Sequence, residues 1–189
     1  MRKIIAIGHQ KNVGKDEFVK FCIDILRPQT KNLKIVRRGF ADKLYDFCYS
    51  VYAWAGFKPR AYYQEHPKAK NDLLTPLGKT VRELLIEMGN HIRQYDSDIW
   101  INANLKTDDS DILFISDLRY PNEFEHCRDN KAITVKIHRA GLPIPTDEAD
   151  TALNGWDSQW DIWIDNDGNL NDLYSHAERF VKNYLITGP

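Results

Sequence analysis

Lys3 to Ile7 (KIIAI) is a short run of branched apolar residues with a glycine behind it. From Asp16 to Leu26 the apolar positions Phe18, Val19, Cys22, Ile23 and Leu26 then recur at helical spacing. The pattern predicts a strand, a loop and a helix that ends near Pro28. A second strand is expected over Leu33 to Val36, and a helix over Asp42 to Trp54 with Leu44, Tyr45, Cys48, Val51 and Tyr52 on its apolar side. Lys58 to Lys79 carries prolines and lysines without a period and reads as a long, mobile excursion rather than a core element. Helical spacing resumes over Thr80 to Arg93 and again over Asp98 to Leu105. Asp111 to Ser116 (DILFIS) is a buried strand ending at Asp117. A short helix over Asn122 to Arg128 follows, then strands over Ala132 to Ile137 and Asp161 to Ile164, and a closing amphipathic helix over Leu170 to Leu185. Strands alternating with helices imply a mostly parallel sheet covered by helices.

Length and charge narrow the picture. A chain of 189 residues suits one domain with a single core, here 1–189, and is short for two of ordinary size. Lys+Arg 26 against Asp+Glu 27 leaves a net charge of -1, so there is no surplus of positive charge to hold a polyanion, and stable nucleic-acid binding is not expected. The apolar run in MRKIIAIGHQ is too short for a secretory signal, and no stretch approaches the roughly 18 apolar residues of a membrane span. Cys22, Cys48 and Cys127 are odd in number and widely spaced, which fits reduced thiols in a cytoplasmic protein.

The candidate chemistry begins with GHQKNVGKDEF, Gly8 to Phe18. In a phosphate-binding loop, glycines let backbone N–H groups wrap the phosphates, a lysine meets the terminal phosphates, and the next helix presents its positive end. Gly14-Lys15 at a helix start supplies the last two, but His9 stands where the usual spacing puts the first glycine, and Asp16 replaces the usual hydroxyl. A tight turn followed by an acid that complements the helix dipole would read the same way. Placement between the first strand and the first helix adds weight to a nucleotide site. The second constellation is ISDLRYPNE, Ile115 to Glu123. A buried strand ending in Asp117 puts a carboxylate at the carboxyl edge of the sheet, where open α/β folds bind ligands, although a helix cap would look alike.

GKD opening the first helix, together with SDLRYPNE after a later strand, resembles the phage-type deoxynucleoside monophosphate kinases, a branch of the P-loop kinases. Phe40 to Leu44 (FADKL), Arg82-Glu83-Leu84-Leu85 with Met88-Gly89-Asn90 and Arg93, and Asp98 to Asn102 (DIWIN) extend the likeness from Met1 to about Leu153. That family commonly carries Asp after the loop lysine. The chain departs from it at Gly89-Asn90, and the family's acidic element before a Leu corresponds loosely to Glu148 or Asp150 ahead of Leu153. The resemblance implies a three-layer P-loop kinase-like fold that moves the γ-phosphoryl group of ATP, with Mg²⁺, to a deoxynucleoside 5'-monophosphate in the cytoplasm of a host cell if the chain is phage-encoded. It implies Lys15, Asp117 and Arg119 in catalysis, and Gly8, Asn12, Val13, Gly14, Lys15, Asp16 and Glu17 around ATP. It further implies Asp42, Arg82, Arg93 and Arg139 on the acceptor, and Asp16 and Asp117 on the metal. Partners would be small-molecule nucleotides, with no membrane and with a homodimer left open. A kinase for a nucleoside or dephospho-coenzyme A, or a non-catalytic nucleotide-binding module, are the rival readings.

Arg37 and Arg38 could join a phosphate-binding cluster or be solvated. Trp100 and Trp163 read as core. His66, His91, His126, His138 and His176 show no metal-ligand spacing.

Overall fold

The computed structural model describes residues 2–106 and 108–186. Along the chain, β1 (Lys3–Gly8) leads through a loop to α1 (Lys15–Leu26) and β2 (Ile35–Arg38). Then come α2 (Asp42–Tyr52), α3 (Arg60–Glu65), the strands β3 (Leu73–Leu74) and β4 (Lys79–Thr80), α4 (Val81–Arg93) and α5 (Ile99–Leu105). The chain continues with β5 (Ile112–Leu118), α6 (Pro121–Asp129), β6 (Ile133–His138), α7 (Glu148–Thr151), β7 (Ile162–Asp165) and α8 (Leu170–Phe180), whose last turns over Val181–Ile186 are π-helical. The described residues form two compact units: 2–39 with 109–186, and Phe40–Asp108.

The first unit is α/β. Its five-stranded sheet has the order β2-β5-β1-β6-β7, and every neighbouring pair is parallel. In the register, Ile5 faces Phe114 on one side and Ile133 on the other. Alternation along the strands sends Ile5, Ile7, Ile112, Phe114, Val135 and Ile137 into one apolar cluster with Phe18, Val19, Cys22 and Leu26 of α1 and with Leu173, Ala177 and Phe180 of α8. Phe18 and Phe180 meet edge to face at 5.6 Å between ring centroids. The intervening Ala6, Leu113 and Ile115 are equally buried, as are Phe124 and Cys127 of α6, so these strands are apolar on both faces, as parallel strands flanked by helices must be.

The Phe40–Asp108 unit is helical around its own apolar cluster, in which Leu44, Cys48, Phe57, Tyr63, Leu84 and Trp100 take part. A capping box opens α4: Thr80 N–H donates to Glu83 Oε2 at 2.7 Å, and Glu83 N–H donates to Thr80 Oγ1 at 3.2 Å. Asn104 is buried and donates to the carbonyls of Phe40 at 2.8 Å and Trp100 at 2.7 Å.

The sequence reading needs correcting in three places. β2 lies over Ile35–Arg38 rather than Leu33 to Val36, because it is an edge strand and can carry Arg37 and Arg38 that an apolar count passes over. The segment 58–79 is not outside the core: it holds α3 and β3, which pairs with β4 at its end, and Tyr63, Ala69 and Leu74 are buried. Trp163 is not core. On the edge strand β7 it is 45% exposed, beneath the Lys136 ammonium at 4.3 Å. Trp100 is buried as expected.

All three cysteines are buried free thiols. Burial raises the pKa of each, that of Cys48 to about 12, which leaves them as small apolar groups. Among the described residues no helix is long and apolar enough to cross a membrane.

Candidate active site

In a parallel sheet all carboxyl ends share one edge. Here that edge collects the loop after β1, Arg38 at the end of β2 with Gly39 after it, Arg119 after β5, Arg139 after β6 and Asn166 after β7. The chain leaves β1 toward β2 on one side, whereas β5 and β6 lead to the other, and such a reversal opens a crevice beside β1.

The loop from Gly8 to Lys15 sits at that crevice, shaped by close packing. A Cβ on Gly8 would lie 2.4 Å from the Leu118 carbonyl oxygen and 2.7 Å from the Trp160 ring. Gly14, at φ +94, would put a Cβ 2.5 Å from the Asn166 amide, so both positions exclude a side chain. Asn12 also takes a left-handed φ of 63, and Val13 is fully buried, its carbonyl accepting from Asn166 Nδ2 at 2.9 Å. The result is a loop pinned at both ends, with its following helix aimed at the crevice.

Lys15 is the centre of the charge arrangement. It is 6% exposed, and its Nζ donates to the Gln10 carbonyl at 2.6 Å, so in this state the loop itself holds the ammonium. Burial and the neighbouring Arg119 guanidinium push its pKa down to about 8, opposed by Asp16, Asp150 and Asp117. Lys15, Asp16, Asp117 and Arg119, singled out from the sequence, are therefore brought together in the first unit.

Arg119 pairs with the buried carboxylate of Asp150, while Glu123 accepts from the backbone N–H groups of Arg119 at 3.0 Å and Tyr120 at 3.1 Å. Asp16 is exposed and pairs with Arg37 Nη2 at 2.5 Å, and Arg37 Nε donates to buried Ser116 Oγ at 2.9 Å. Glu17 pairs with Lys20 at 3.2 Å along α1. Asp117 is half-buried near the end of β5, and Arg139 is exposed directly after β6.

The other expected residues, Asp42, Arg82 and Arg93, stand in the Phe40–Asp108 unit. Asp42 pairs with Arg60, Arg82 is exposed with its Nε 3.3 Å from Asn71 Oδ1, and Arg93 is half-buried beside Asn90.

His9 is 1% exposed and stacks on Trp160, with ring centroids 6.2 Å apart. Asn154 approaches it without completing a hydrogen bond, and neither ring nitrogen has a partner among the described residues. Burial first, then Lys136, push its pKa down to about 4, so the ring is neutral at pH 7.

Sequence reasoning missed the contributions of Asp150 and Asn166 to the loop. Asp150 accepts the Lys11 backbone N–H at 3.1 Å from far along the chain, and Asn166 holds Val13. The available signals were Asp150 ahead of Leu153, matched loosely to the family's acidic element, and the polar turn Asn166-Asp167-Gly168 behind a strand.

Chemically, a glycine-framed loop at a helix start with Lys15 beside Arg119 could hold a phosphate, and Asp16 and Asp117 are carboxylates close enough to act on Lys15. Asp16 and Asp117 fit Mg²⁺, which draws most of its oxygen ligands from phosphates and waters and asks for only one or two carboxylates. The chain matches no model of a known protein family, and no characterised protein matches it in sequence.

Proposed function

We propose that this chain is an ATP-dependent kinase that phosphorylates a deoxynucleoside 5'-monophosphate. The observation that carries the reading is the glycine-framed loop between β1 and α1 at the carboxyl edge of the sheet, with Lys15 buried among Arg119, Asp16 and Asp117. The likeness of GKD and SDLRYPNE to the phage-type kinases supplies the substrate class.

The loop N–H groups and Lys15 would hold the β- and γ-phosphates of ATP. Asp16 and Asp117 would hold Mg²⁺, directly or through water, and the ion supplies neutralisation of phosphate charge. An oxygen of the acceptor phosphate attacks the γ-phosphorus, the bond from that phosphorus to the β–γ bridging oxygen breaks, and ADP leaves with the electron pair. The attacking oxygen is already ionised, so the chain needs no general base. Its work is positioning and charge neutralisation, for which Arg119 stands beside Lys15.

Coupled ADP release with ATP and Mg²⁺ tests this against each common deoxynucleoside monophosphate, with nucleosides and dephospho-coenzyme A as controls. Turnover is expected with one or more monophosphates. Lys15→Ala should lose roughly a hundredfold or more in kcat with an unchanged circular dichroism spectrum, since a positioned charge contact is worth ~3 kcal/mol or more. Turnover with a control alone would reassign the acceptor. Near-normal turnover in the Lys15 variant would remove the site.

A further inference from the structure

Donors at the cationic end of the loop are already engaged. Asp150, 1% exposed, fills a position there: its Oδ1 accepts the Lys11 backbone N–H at 3.1 Å and pairs with Arg119, and its Oδ2 stands 3.4 Å from Lys11 Nζ. Asp147 adds a second link, accepting from Lys11 Nζ at 2.6 Å. Leu153, fully buried shortly after Asp150, anchors this stretch, so the carboxylate is presented from fixed backbone. A backbone N–H in a phosphate loop and a guanidinium beside its lysine are the donors that a phosphate oxygen takes. A carboxylate offers them the same oxygen geometry and one negative charge.

We propose that Asp150 is a built-in phosphate surrogate: it occupies donors of the phosphate site in the ligand-free protein and is displaced when a polyphosphate enters. This deepens, and rests on, the assignment of the loop as a nucleotide site. The surrogate gives the half-buried Arg119 guanidinium and the Lys11 N–H a charged partner, which stabilises the empty site. It also opposes ligand entry, because a phosphate arriving at these donors meets a like charge held a few ångströms away. Affinity for phosphates is thereby traded for order in the empty loop, and the exchange ties α7 to ligand binding.

Isothermal titration of Asp150→Asn and the parent with inorganic tripolyphosphate, and separately with ATP, both without Mg²⁺, tests the exchange. The amide keeps the shape and removes the charge. The variant should bind tripolyphosphate roughly tenfold or more tightly, as loss of a like charge at this range predicts, and its melting temperature without ligand should fall while the ligand-induced rise grows. Equal or weaker binding by the variant, with the parent binding normally, overturns the surrogate and leaves Asp150 as a fixed support for Arg119. Failure of the parent to bind either probe removes the nucleotide-site assignment and this inference with it. Should the variant not fold, hydrogen exchange of the parent decides. Tripolyphosphate should speed exchange in the α7 segment while slowing it in the loop, and slowing in both overturns the proposal.

Discussion

His9 shows how a residue's surroundings become a property of the protein. Its imidazole ordinarily titrates near 6.5, but here, buried against Trp160 and beside Lys136, it stays neutral to about 4. The unfolded chain therefore takes up a proton that the folded chain refuses between those two values. The stability that depends on this is fully present above 6.5 and is lost as pH falls toward 4, on the order of 3 kcal/mol in all. His9→Phe, which keeps an aromatic ring against Trp160, should flatten stability against pH in that window, and urea titrations at stepped pH would read it. An unchanged slope would mean that the carboxylates alone set the acid response. The grouping of Lys15, Asp16, Asp117 and Arg119 was legible because they stand in two short motifs, GKD and SDLRYPNE, at the ends of two strands. Asp150 and Asn166 were not, because their meaning comes from touching Lys11 and Val13, neighbours that only the sheet topology supplies.

At the level of elements, apolar periodicity located the long helices and the buried strands to within a residue or two, because those elements are held by burial and the pattern records burial. It failed where something else holds the element. β2 is kept by pairing with β5 and by Arg37 reaching Ser116, and neither leaves an apolar trace. The 58–79 segment is assembled from pieces too short for a period, pinned by Tyr63 packing on Phe57 at 5.3 Å and accepting the Lys58 N–H at 2.9 Å. The start of α4 is held by the reciprocal cap of Thr80 and Glu83. Thr80→Ala removes the side chain that accepts the Glu83 N–H and should cost about 1 kcal/mol, visible as a lower denaturation midpoint at unchanged denaturant slope. A loss within error would show that α4 is fixed by packing alone.

For the whole molecule, length suggested one domain with a single core, whereas among the described residues each of two compact units has an apolar cluster of its own. Phe114→Ala, in the fully buried middle of β5, should cost ~3–5 kcal/mol, and Leu84→Ala in α4 ~2–5 kcal/mol. With native-state hydrogen exchange, Phe114→Ala should raise exchange through the five-stranded sheet and Leu84→Ala through residues 40–106, each unit opening as its own block. Uniform acceleration by either variant would mean that the units open together. The order of the strands also has a consequence in time. β1 lies in the middle of the sheet, yet its partners are β5 and β6, and the Lys3 ammonium closes onto the carbonyls of Tyr184 at 3.2 Å and Leu185 at 3.1 Å. On the ribosome β1 must wait, exposed, until β5 and β6 have emerged, while the Phe40–Asp108 cluster forms from residues close in sequence. The inserted helical unit is thus set to finish first, and the sheet that frames the phosphate loop closes only after β5 and β6 have emerged, slowed by its long-range pairings and dependent in the meantime on protection from aggregation.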